Sequence, residues 1–126
     1  MSLLKTVQRE KEGQKEPTRY YSKRQENSIA KKFDGERVKN SGATLWSKGD
    51  INLDSGWLIE AKTHTTTRKS MTIQKEWLDK NQKESLFMGK PYNALAFNFG
   101  PDEPNYYIID ENLFELLVQE LKNKEI

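Results

Sequence analysis

Residues 49–62 constrain the fold more than any other stretch. Asp50-Ile51-Asn52-Leu53 and Trp57-Leu58-Ile59-Glu60-Ala61-Lys62 are two alternating runs, and Asp54-Ser55-Gly56 lies between them. Alternation on both sides of a glycine-containing turn predicts a β-hairpin. A three-residue loop with glycine in the left-handed position sets Leu53 opposite Trp57, Asn52 opposite Leu58 and Ile51 opposite Ile59. Asp50 then falls opposite Glu60, with Cβ atoms about 4.5–5.5 Å apart. Lys62 shares the face of Glu60, because side chains alternate with period two. A two-residue turn would instead set Asp50 against Ile59 and separate the two carboxylates.

Around the hairpin the chain reads as alternating helices and strands. A first helix is predicted over 20–33, with Ser22 and Gln25 spaced as a capping box. Ile29, Ala30 and Phe33 form its apolar stripe, and Glu26 lies on that same face, pointing inward. Asp34-Gly35 ends the helix, and Arg37-Val38-Lys39 reads as a short strand. A second helix is expected over 72–88, a strand over 92–99, a turn at Gly100–Pro104 and another strand over 106–109. The last helix, over 111–122, places Leu113, Phe114, Leu117, Val118 and Leu121 on one side. This order predicts an α/β domain with a central mixed sheet flanked by helices. At 126 residues one domain is expected, over 19–126, preceded by a polar, flexible N-terminal arm at 1–18.

Composition removes several functional classes. There are no cysteines and a single histidine, His64, which excludes a disulfide framework, a thiolate centre and a multi-histidine zinc site. No apolar run is long enough to span a bilayer, and the first residues lack a secretory apolar stretch, so a cytoplasmic, membrane-free protein is expected. The net charge of +2 is unevenly spread, at +6 over 1–48, +1 over 49–100 and −5 over 101–126. A basic half fits a polyanion partner, since phosphate contacts release counterions; a solvated surface of both signs is the alternative.

Like charges set opposite one another destabilise a sheet. A chain that keeps Asp50 and Glu60 facing each other needs a compensating cation. Mg²⁺ suits one or two carboxylates, with water and substrate phosphate filling its remaining positions. Lys62 would add a point charge that steadies an attacking water or the growing charge on a phosphate. Glu26 would supply a third carboxylate, directly or through water, if its helix packs on this sheet. The competing interpretation is a solvent-facing hairpin in which Lys62 merely neutralises Glu60. His64, two residues past Lys62, is a weaker general-base candidate. The three tryptophans read as core filling rather than base stacking.

Asp50 followed after nine residues by Glu60-Ala61-Lys62 resembles the PD-(D/E)XK nuclease signature. Glu26 in the first helix, Ser41-Gly42, Asp50-Ile51, Glu60-Ala61-Lys62 and Gln74 at the second helix are most similar to the Holliday junction resolvases of archaea and phages. Gly49 stands in place of the signature proline, and Leu78 in place of a tyrosine that some members carry. The resemblance implies a restriction-endonuclease-like αβββαβ core. It implies Mg²⁺, with Mn²⁺ as a substitute, bound by Asp50, Glu60, the Ala61 carbonyl and Glu26. Lys62 would position or activate the water, and Gln74 would orient Lys62 or touch a phosphate. The expected reaction is DNA phosphodiester hydrolysis at a four-way junction by a homodimer, in a nucleoid-associated setting or in a host cytoplasm if phage-encoded. Arg19, Lys23, Arg24 and Lys31 near Glu26, Ser41, Ser47 and Lys48 in the following loop, and Arg68 and Lys69 after Lys62 are the DNA-contact candidates. The alternatives are a nuclease of the same core acting on linear or flap DNA, and a non-catalytic DNA-binding module.

Overall fold

The computed structural model describes residues 20–38 and 51–124. Helix α1 covers 20–32. It is followed by β1 (Gly35–Arg37), β2 (Ile51–Leu53), β3 (Trp57–Lys62), α2 (Lys75–Phe87), β4 (Tyr92–Phe97), β5 (Tyr106–Ile108) and α3 (Glu111–Lys124). The strands form one five-stranded sheet in the order β1-β2-β3-β4-β5. Among the described residues only the β3–β4 pair is parallel, and α2 makes the crossover between them. The architecture is the expected α/β domain with a mixed sheet.

The three-residue hairpin turn holds. Gly56 has φ +98° and donates its N–H to the Leu53 carbonyl at 3.0 Å. The register is Leu53 with Trp57, Asn52 with Leu58 and Ile51 with Ile59. A Cβ on Gly56 would lie 3.2 Å from the Pro91 ring, so the turn also seats the start of β4. The Gly56 carbonyl accepts from Tyr92 N–H at 3.0 Å.

Strand β3 sorts the core into two layers. Ile59 and Ala61 project to one face, where Ile29 and Ala30 of α1 pack with Ile51, Leu53, Trp57 and Ala96. Leu58, Glu60 and Lys62 alternate to the other face, which α2 covers. Leu58 and Leu95 are fully buried there, and Asn81 of α2 donates to the Ala94 carbonyl at 3.1 Å. This bond engages the amide nitrogen of Asn81, while its buried Oδ1 has no hydrogen-bond partner among the described residues.

Several boundaries differ from the sequence expectation for local reasons. Residues 20 and 21 are already helical, so Ser22 and Gln25 are not a capping box. The Gln25 side chain instead satisfies the Lys62 backbone carbonyl at 2.9 Å. Strand β1 starts at Gly35, earlier than the expected 37–39, of which residue 39 lies outside the described residues, and Gly35 pairs with Leu53, whose Cδ2 occupies the place a Cβ would take. Helix α2 starts at Lys75 rather than near 72, since Gln74 is extended at φ −88°, ψ 132°. On α3 only Leu113 of the anticipated apolar side is buried, while Phe114, Leu117 and Leu121 are exposed.

Gly100 closes the link between β4 and β5 at φ +155°, and a Cβ there would stand 2.7 Å from Thr67 Cα. The contact is backbone on backbone and cannot be relieved by a rotamer change. Gly100→Ala is expected to destabilise the fold by about 1–3 kcal/mol, read as a lowered midpoint in urea unfolding.

Candidate active site

Glu60 and Lys62 stand two residues apart on β3, so the pleat points them the same way. Lys62 Nζ lies 3.5 Å from Glu60 Oε1, with side-chain exposures of 31% and 13%. The ammonium also sits 4.6 Å from the centroid of the Trp77 ring, on the first turn of α2. A carboxylate and an indole face together fix the cation in one place, where a free lysine would sample many rotamers. The Trp77 backbone N–H donates to the Gln74 carbonyl at 3.1 Å, which closes the first turn of α2. The Gln74 side chain is exposed and makes no cap bond.

Glu26 is buried on α1, as its place on the apolar face predicts. Its carboxylate meets Arg37 of β1 at 3.2 Å. Helix α1 packs on the Ile59–Ala61 face, whereas Glu60 and Lys62 project from the other. The fold therefore assembles Glu60, Lys62, Trp77 and the Gln74 backbone, and gives Glu26 a partner on the opposite side of the sheet. Among the described residues no group of three His, Cys, Asp or Glu is gathered to hold a metal. Asp50, Arg19, Ser41, Ser47 and Lys48 lie outside the described residues.

The remaining candidates fall around this end of the molecule. Lys23, Arg24 and Lys31 are exposed on α1. Arg24 is engaged by Asp102, which raises its guanidinium pKa further, with help from Tyr20. Arg68 and Lys69 are exposed, and Arg68 N–H ties the loop to the Phe99 carbonyl at 2.7 Å. His64 Nε2 lies 2.8 Å from Met71 Sδ. Partial burial, then the nearby Arg68, holds its imidazole pKa below the usual value. Trp57 packs on Tyr92 with centroids 5.3 Å apart and lines the core, as expected of a filler.

Sequence reasoning missed three partners. Arg37 was read only as part of a strand, Trp77 as core filling on a helix and Gln25 only as a cap. Each acts across the fold, 11, 15 and 37 residues from its partner. The β3 alternation could have flagged Trp77, because the face carrying Lys62 needs a cover from the next helix.

Glu60 and Lys62 together offer an oxygen ligand beside a fixed positive charge, a pairing suited to binding a cation and an anion side by side. Comparison with known proteins finds no matching family model, curated protein or solved structure.

Removing Arg37 takes away a cation 3.2 Å from the buried Glu26 carboxylate. Because Arg37 is 36% exposed, solvent screens part of the loss. A double-mutant cycle of Glu26→Gln and Arg37→Met, read by chemical denaturation, is expected to give a coupling of about 1–2 kcal/mol.

Proposed function

We propose that this chain is a Mg²⁺-dependent DNA endonuclease that cuts four-way junctions. The observation that carries the reading is the Glu60–Lys62 pair, held at 3.5 Å on the inner strand of the hairpin and steadied by Trp77. The donor set is oxygen only, which suits a hard divalent ion. Glu60 alone is too few protein ligands, so the reading requires Asp50, which adjoins Ile51 at the far side of the hairpin. Asp50, Glu60 and the Ala61 carbonyl would hold Mg²⁺, or Mn²⁺ in its place. Glu26, engaged by Arg37 on the opposite side of the sheet, is left outside this ligand set.

When bound, the ion would lower the pKa of a water and offset charge on the reacting phosphate. Lys62, fixed beside Glu60 and Trp77, would steady the attacking water and the charge that grows on the phosphate oxygens. Gln74, one turn before Trp77, is placed to touch the adjoining phosphate. Lys23, Lys31, Arg68 and Lys69 supply exposed positive charge for the backbone, whereas Arg24 must first leave Asp102. Paired cuts in a junction need two sites, which a two-fold homodimer supplies. The exposed Phe114, Leu116 and Leu121 of α3 are the candidate contact.

With labelled four-way junctions and Mg²⁺, paired symmetric cuts are expected, abolished by chelation. Asp50→Ala, Glu60→Gln and Lys62→Ala are each expected to lower the rate by about 10²–10⁴-fold while the fold stays intact by circular dichroism. Cutting of linear or flap DNA would discard junction preference and keep the site. Tight DNA binding without any metal-dependent cutting would mark the domain as a binding module.

A further inference from the structure

A cleft of about 500 Å³ opens between α1 and the turn that joins β4 to β5. Thr63, the residue after Lys62, lies in its wall, so the cleft begins where the proposed active strand ends. Its floor is a connected set of side-chain amides. The Gln25 Nε2 donates to the Lys62 carbonyl at 2.9 Å and to Asn105 Oδ1 at 3.1 Å. The Asn98 Nδ2 donates to the same Asn105 oxygen at 3.3 Å. The Asn98 Oδ1 accepts from the Thr63 hydroxyl at 2.7 Å and from Gly100 N–H at 3.3 Å. Gln25 and Asn98 are only 6% and 4% exposed.

This network settles which way each amide faces. Asn105 Oδ1 accepts two N–H groups, so its NH₂ is the end left over, with two donors that meet no group among the described residues. The Gln25 Oε1 is a second, buried group at this wall without a hydrogen-bond partner among them. An orphaned buried atom such as Gln25 Oε1 is uncommon and calls for an explanation, whereas the Asn105 NH₂ is not among the buried orphans and is open to a ligand. The charges in the cleft balance: Arg24 and Lys31 face Asp102 and Glu103, and Arg24 is already tied to Asp102. Balanced charge disfavours a phosphate and favours a neutral, polar, flat group. The ring of Tyr21 at the wall offers such a group a stacking surface.

We propose that this cleft, on the α1 face of the sheet, receives an unpaired nucleobase, gripped through a ring carbonyl oxygen by the Asn105 NH₂ and reached around the end of β3 from the bond to be cut. The inference deepens the nuclease reading and rests on it: the substrate is DNA with an unstacked base within one or two nucleotides of the cleavage point. Unstacking is least costly at a branch or mismatch, so such a pocket selects DNA that is already distorted.

The test places 2-aminopurine, which brightens on unstacking, at each position around the cut in a four-way junction. Ca²⁺ replaces Mg²⁺ to hold the complex uncut. The full chain is expected to brighten one position within two nucleotides of the cut. With natural thymine restored at that position, Asn105→Asp is the decisive variant. It keeps an oxygen for the Gln25 and Asn98 donors and turns the free NH₂ into an acceptor, which repels a carbonyl. Asn105→Asp is expected to weaken junction binding about fivefold to tenfold, as for one lost hydrogen bond. The loss should vanish when the thymine is replaced by an abasic site. Wild-type affinity in Asn105→Asp, or no brightened position despite binding and cutting, overturns the base pocket and leaves the nuclease reading standing. Failure to bind any DNA overturns both.

Discussion

Strand β3 is the element on which the rest of the molecule depends. It pairs antiparallel with β2 and parallel with β4, and each of its faces is covered by a different helix. A strand buried on both faces must satisfy all its backbone groups through neighbours and spend its side chains on two cores at once. Trp57, Ile59 and Ala61 serve the α1 side. Leu58 serves the α2 side, and Glu60 and Lys62 end that row with charge. Apolar burial thus fixes the strand's position, and the charged pair inherits that precision without contributing much to it.

Polar groups at the end of β3 take a different route to order. Gln25 reaches from α1 to the Lys62 carbonyl, and Asn105 and Asn98 extend the connection to Thr63 and the β5 side. Hydrogen bonds of this kind stabilise little net, since water offers equivalent partners, but leaving one unmade is costly. Their effect is to hold three separate segments to one geometry at the point where the strand stops.

The hairpin register was legible because period-two alternation and one glycine leave few solutions. The same holds for the inward Glu26, whose spacing from Ile29 and Ala30 is set by helix geometry. Boundaries were less legible. Gln74 is an N-cap in extended conformation, and nothing local to 72–74 announces it. The partners of Glu26 and Lys62 were illegible for a plainer reason: Arg37 and Trp77 meet them only after β1 and α2 have docked, and no local pattern encodes such a meeting. The face of α3 was read as core because its apolar spacing is regular, yet spacing says nothing about whether a partner surface exists within the same chain.

Among the described residues the two outermost strands, β1 and β5, are three residues long each. An open sheet invites further strands to add at its rims, and long flat rims seed aggregation. Here each rim offers few free backbone groups, and β1 also carries Glu36 and Arg37. Strand-by-strand polymerisation therefore finds little to template on. Self-association through side-chain surfaces would close on itself only where the contact is two-fold.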